Sequence, residues 1–289
     1  MLKNYRVMLM YNCFADVQLC LFAYAVQYSI KIVDNLILAS LEGPGRYFNF
    51  DGQCIVNSLF ALSLSVVITS LPANYYYRYS CLKHNRPLTG KRLFLLYFGA
   101  YIAALPVTIG ATISFHEDGK SRPGFNYAML WYDVKPIPTL MIIDYRQPIT
   151  KFYITYTFLT YGISYGIAIF FAVKTVTIID KEQENYSSKT LQLHKQLSRA
   201  MFFQAALPMF VSVGPSTIII IQMVFEINWD VLTSVMFNLY SSIPVLNSIC
   251  TMIVIRPFRE EIMQKILGRT YTQSVRTSSD PQGTGNETQ

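Results

Sequence analysis

The chain has 289 residues, of which 52% are apolar or aromatic and only 14% are Asp, Glu, Lys or Arg, against about 25% charged in ordinary soluble domains. So little charge does not cover a water-facing surface, which excludes a soluble enzyme and, before the end of the chain, a disordered protein. The net charge of +7 does not signal nucleic acid, because the Lys and Arg residues lie in short clusters between apolar runs rather than on one solvated face.

In chain order, six apolar runs reach the ~20 helical residues that a bilayer core demands: residues 8–30, 54–76, 93–114, 152–171, 200–225 and 231–255. Helix is the expected form, since an open sheet in lipid would strand backbone donors and acceptors. The first run is not a secretory leader: it is too long, carries Asp16 and has no small-residue cleavage site after it. The reading is an all-α polytopic transmembrane bundle spanning residues 1–268, whose partner is the lipid bilayer. Residues 258–267 place Phe258, Ile262, Met263, Ile266 and Leu267 on one face and Arg259, Glu260, Glu261 and Lys265 on the other. That pattern predicts an amphipathic helix lying along the inner leaflet. Residues 269–289, rich in Ser, Thr and Gly, read as a disordered cytoplasmic tail.

The basic residues orient the bundle. Seventeen of the 24 Lys and Arg fall in the segments on one side of the six spans and seven on the other. By the positive-inside rule both termini face the cytoplasm, in a multi-pass protein expected at the plasma membrane. The longest outward segment, residues 115–151, holds His116, Glu117, Asp118 and several prolines and aromatics, and is expected to fold as a lid.

A few residues stand out within this frame. Asp16 is the one carboxylate well inside a span, roughly 13 Å beyond the boundary at 1.5 Å per residue. A charge at that depth faces the bundle, protonated or paired. It reads either as a polar switch or ion site, or as a protonated acid hydrogen-bonded to neighbours such as Asn57 or Asn247. Tyr77, Arg78 and Tyr79 close the second span just before a short basic loop. Such a cluster docks a cytosolic partner, locks the inner mouth, or merely obeys the charge rule. Lys195 and Arg199 form a basic approach to the fifth span, which bends at Pro208 and Pro215; Pro244 bends the sixth, and Pro72 and Pro106 lie in earlier ones. Proline removes a helical hydrogen bond, and kinked spans can swing their ends, although prolines are also common in membrane helices. The five cysteines form no pair at metal-ligand spacing and read as packing residues. No zinc-protease, Walker or nucleophile-elbow motif occurs, so neither catalysis nor a cofactor or metal is expected.

Four segments in register carry a resemblance: GPGRYF at 43–48, YYRYS at 76–80, HKQLSRAMFFQAALP at 194–208 and IRPFRE at 255–260. With them the chain, from about residue 6 to 259, resembles the nematode serpentine chemoreceptors of the Str superfamily, most closely class delta. The resemblance implies a G-protein-coupled receptor for a small environmental chemical. Arg78 would occupy the place of the arginine at the inner end of the receptors' third helix, and residues 80–92 and 180–199 would face a heterotrimeric G protein. It also implies departures. Six spans stand where the family has seven, with the first run matching the family's second helix. Cys54 has no cysteine partner in residues 115–151, and Gly45 stands where a further cysteine is expected. The rival readings are a six-helix transporter or channel subunit, which the lack of an internal repeat and of a second buried acid argues against, and a truncated receptor copy without signalling.

Overall fold

A computed structural model describes residues 2–33, 36–84, 88–115, 117–118, 139–181 and 229–246, with isolated positions between 202 and 225 and at 249. Six α-helices and a small sheet make up these segments: α1 (Leu2–Val26), α2 (Phe50–Thr69), α3 (Leu71–His84), α4 (Gly90–Ser114), α5 (Pro148–Lys181) and α6 (Asp230–Leu239). Among the described residues, four helical segments are long and apolar enough to cross a membrane, with α2 and α3 counting as one segment of 35 residues. That segment is the axle of the bundle. Of its most apolar window 72% is buried, against 22–28% for the other three. Around it, α1 and α4 pack on α2, while α5 packs on α3 and α4.

Local chemistry explains the central segment's start and its interruption. Asn49 caps α2, its side-chain oxygen accepting from the Gly52 amide at 3.0 Å, and Asp51 adds a negative charge to the first turn. The interruption falls at Ser70, between Thr69 and the start of α3. Pro72 has no amide to donate. Thr69 and Ser70 bend their hydroxyls back onto the carbonyls of Ser65 and Val67, at 2.8 and 2.9 Å. The helix path resumes with the Asn74 amide on the Ser70 carbonyl.

The first apolar run does not stay helical to its end. The helix α1 stops at Val26, Gln27 takes a positive φ of 39°, and the next residues pair as strands. β1 (Tyr28–Val33) and β2 (Leu36–Leu41) form an antiparallel hairpin with Val33 opposite Leu36. The expected span of residues 8–30 therefore ends about four residues early, and the all-α expectation is corrected to a mostly helical fold with a sheet. The reason is legible in β1 itself, where buried Tyr28, Ile30 and Ile32 alternate with the less buried Ser29 and Lys31, the two-residue period of a strand. β3 (Glu117–Asp118) and β4 (Met141–Asp144) complete an antiparallel sheet of order β1-β2-β4-β3. Residues from the segment expected as a lid thus join a hairpin from another part of the chain.

All six residues of β2 are buried. One face (Ile37, Ala39, Leu41) joins the main core with Met141 and Ile143, while the other (Leu36, Leu38) clusters with Leu140 and Ile142. The hairpin is sewn to α1 by the Glu42 amide on the Gln27 carbonyl and the Gly43 amide on the Val26 carbonyl. Here the chain backbone lies against the end of α1. A Cβ on Gly43 would stand 2.5 Å from the carbonyl oxygens of Tyr24 and Ala25, and one on Gly45 would stand 2.7 Å from the latter. The two glycines of the 43–48 motif are there because no side chain fits.

The remaining expectations on span ends meet longer or shorter elements. α2 and α3 run on to His84, well past residue 76, and α5 occupies Pro148–Lys181 rather than 152–171. Pro106 lies inside an unbroken α4. The expected span of 200–225, the amphipathic helix of 258–267 and the tail of 269–289 lie outside the described residues, apart from isolated positions in the first.

Candidate functional site

Two polar regions lie at opposite ends of the bundle, separated by the break at Ser70. At the sheet end, the Tyr28 hydroxyl donates to Asn57 Oδ1. Asn57 is 1% exposed and its Nδ2 has no hydrogen-bond partner among the described residues. Next to it on α2, the Ser58 hydroxyl accepts from Thr112 of α4 at 2.7 Å and donates to the Cys54 carbonyl at 2.8 Å. Cys54 is buried, and its thiol donates to the Phe115 carbonyl at 3.3 Å. A hydrogen bond therefore joins the start of α2 to the end of α4. The sheet also grips the last described helix. Ser234 of α6 bridges both backbone groups of Ile30 at 3.1 Å, and Asn238 donates to the Tyr28 carbonyl at 3.0 Å.

At the far end, α1, α3 and α4 converge. The Tyr97 hydroxyl of α4 reaches Asn74 Oδ1 of α3 and, at 3.2 Å, Asn12 Oδ1 of α1. A phenol has a single proton to donate, so the two amides share it in turn. Tyr11 stacks on Tyr97 with centroids 4.6 Å apart. One turn further in, Tyr101 donates to Gln18 Oε1 at 3.1 Å. Beside this ladder Tyr77 is packed with Met8, Cys81, Leu88, Leu93 and Tyr97.

The three residues of the Tyr-Arg-Tyr run fare differently. Tyr77 is 3% and Arg78 5% exposed, while Tyr79 is half-buried and turns toward α5, its ring 5.4 Å from Phe171. Arg78 sits in the last two turns of α3, two residues past Tyr76, whose ring also meets Phe171 at 5.2 Å. An arginine is seldom this buried without need. In this conformation its guanidinium is not presented to a partner.

Asp16 is half-buried on α1. Asn57, proposed above as its neighbour, takes its hydrogen bond from Tyr28 instead. Pro244 is buried in a helical stretch that follows a 3-10 turn over Tyr240–Ser242. Lys195, Arg199, Pro208, Pro215 and Asn247 lie outside the described residues. Sequence reasoning missed Asn12, Tyr97, Tyr28 and Ser234. Each is an ordinary polar residue in an apolar run, and only the packing of distant helices brings them together. Among the described residues no group of three His, Cys, Asp or Glu side chains is placed to hold a metal ion.

Taken together, apolar helices of membrane-crossing length with polar side chains turned inward define a multi-pass membrane protein. The profile of the family described as "Serpentine type 7TM GPCR chemoreceptor Srd" matches residues 1–264. The chain is also 23% identical over 279 residues to the Caenorhabditis elegans protein "Serpentine receptor class delta-2", covering 92% of this chain and 75% of that relative. The chain belongs to the Srd family of serpentine chemoreceptors, and is a G-protein-coupled-receptor-like chemosensory membrane receptor. That family is one of receptors rather than enzymes.

Proposed function

We propose that this receptor binds a small environmental chemical and answers by opening its Arg78 end to a heterotrimeric G protein at the plasma membrane. The observation that carries the reading is the burial of Arg78, 5% exposed at the end of a long central helix. A buried cation is held by the groups around it, so presenting it to a partner takes a second state in which those contacts are exchanged, and the partner binds that state.

The orientation follows the basic residues, which puts the sheet outside and Arg78, Lys83, Lys91 and Arg92 inside. In this reading α1 stands where the family's second helix does. Tyr77 and Tyr79 flank Arg78 in the coupling surface, and Lys195 and Arg199 extend it from the following basic segment. Pro208, Pro215 and Pro244 supply the bends about which the later helices move, and Asp16, Asn57 and Asn247 are the polar positions that differ between the two states.

Arg78→Ala tests the reading. It is expected to abolish ligand-driven nucleotide exchange while leaving the amount of receptor at the cell surface unchanged. Unimpaired exchange would sink the role of Arg78. The orientation has its own check: Asn185 and Asn286 begin the sequons Asn-Tyr-Ser and Asn-Glu-Thr, and both stay unglycosylated in cells if they face the cytoplasm. A glycan on either reverses the topology.

A further inference from the structure

We infer that the cleft between α3, α4 and α5 seats one acyl chain of an anionic membrane lipid, with its headgroup on Lys83 and Lys174. The cleft has a volume of about 560 Å³ and is lined by Pro72, Tyr76, Leu96, Gly99, Ile167 and Phe171, among others. That is the size of small-molecule sites, ~300–1,000 Å³.

Its chemistry selects hydrocarbon. Most of its lining is apolar, and three of the five hydroxyls among its lining residues are engaged by backbone carbonyls: Thr69 with Ser65 at 2.8 Å and Ala100 at 3.0 Å, Ser164 with Thr160 at 2.8 Å, and Tyr156 with Ala103 at 3.4 Å. A polar ligand would give up its hydration there for little in return, whereas a methylene chain gives up nothing. The cleft is also continuous with the surface that faces lipid. Leu95, Phe98 and Ile102 on α4 and Ile163 and Ile167 on α5 are all exposed beside it.

Depth and charge name the source. Leu96 to Ala103 lie about 9–20 Å along α4 from its first residue, at 1.5 Å per residue. One leaflet contributes about half of a ~30 Å hydrocarbon core, so a chain from the leaflet on the Arg78 side reaches the cleft. Two cations lie beside rings that meet Phe171, a residue of the cleft's lining. Lys83 Nζ lies 5.5 Å from the Tyr79 ring centroid, and that ring lies 5.4 Å from Phe171. Lys174 Nζ lies 5.7 Å from the Phe170 ring centroid, and that ring lies 5.2 Å from Phe171. Both lysines are exposed. An anionic headgroup between them and a chain running past Phe171 toward Gly99 satisfies the charge and the groove together.

The occupant would lie against Pro72 and Tyr76, the break in the central helix and the turn before Arg78. Filling the cleft therefore biases the opening of the Arg78 end. The site stands without the signalling reading, and only this regulatory consequence rests on it.

The test places the purified full chain in nanodiscs with a phosphatidylserine carrying a photoreactive diazirine on its acyl chain, or with the matching phosphatidylcholine. Crosslinked peptides are then mapped by mass spectrometry. Labelling is expected to concentrate on α3, α4 and α5 around Tyr76, Leu96 and Ile167 and to favour the serine lipid. Gly99→Leu should remove it, because an added Cβ at Gly99 meets nothing within 4 Å and the fold accommodates it. Lys83→Gln and Lys174→Gln should each reduce it about fivefold, the effect of one basic residue near an anionic surface. Equal labelling by the two lipids overturns the headgroup assignment. Labelling spread evenly onto exposed α1 residues such as Phe14 and Leu21, or unchanged in Gly99→Leu, overturns the site. Because no nucleotide exchange is read, either result is distinct from a failure of Arg78 to couple.

Discussion

At the sheet end the bundle is closed by backbone; at the Arg78 end it is closed by side chains. The four strands exchange amide and carbonyl bonds in a ladder running from Tyr28↔Leu41 to Asp118↔Met141. α6 joins that ladder by binding the backbone of Ile30 and Tyr28. The opposite end has one phenol shared between two amides, a stacked tyrosine pair and a set of rings around Phe171. A ladder breaks cooperatively or not at all, whereas a side-chain bond worth about 1 kcal/mol net can be exchanged one at a time. If the receptor opens as proposed, the difference makes the sheet the stationary end and the Arg78 end the movable one.

Substitutions that damage the ladder should cost the most. Gly43→Val would drive a side chain into the carbonyls of Tyr24 and Ala25, where even a Cβ stands at 2.5 Å. The hairpin would have to leave α1, a loss of about 3 kcal/mol or more, read as a collapse in surface level and thermal stability. A stable Gly43→Val receptor would show that the sheet end is not fixed at α1. Tyr28→Phe is milder. It leaves the Asn57 amide, already short of one partner, with neither, and should cost about 1–3 kcal/mol in melting of the purified protein. No change would mean that this amide finds another partner.

The comparison is sharpened at the movable end, where the effect should appear in activity as well as in stability. Tyr97→Phe removes the proton shared by Asn12 and Asn74. If that bond holds the end shut, basal nucleotide exchange rises about fivefold, the equivalent of ~1 kcal/mol, alongside a loss in melting no larger than that of Tyr28→Phe. A fall in exchange would mean instead that Tyr97 supports the open state. The smallest effect is expected from Asp16→Asn, which keeps the shape and removes the charge. A shift in basal or ligand-driven exchange marks Asp16 as part of the switch, and an indistinguishable response marks it as a protonated structural acid.

The sequence announces helices through long uncharged runs, and α4 at Gly90–Ser114 sits close to the run that announced it. It hides the sheet, because residues 8–30 remain apolar while the backbone changes from helix to strand at Gln27, with no Gly or Pro to mark the change. The alternation of Tyr28, Ile30 and Ile32, the Asp34-Asn35 pair between two β-branched stretches, and the apolar 36–41 run were the available signals. At the far end, Arg78 is conspicuous as a residue type at a span's end, but its burial appears only once other helices, α5 foremost, pack around α3. The Asn12, Tyr97 and Asn74 ladder joins three helices and leaves no periodic trace in any one of them. The two glycines at 43 and 45 show the opposite case: a motif plain in the sequence whose reason, contact of backbone on backbone, appears only in three dimensions.

The pairing of β2 with β4 also fixes an order of events during synthesis. Leu36 meets Asp144, about a hundred residues later in the chain, with α2, α3 and α4 between them. The hairpin therefore leaves the ribosome with one apolar edge unpaired, a template for mispairing, and keeps it until those helices are threaded through the membrane. Ser234, which binds Ile30, arrives later still. A chain that stalls or inserts in the wrong register leaves that edge open, so the finished sheet can form only once α2, α3 and α4 are threaded.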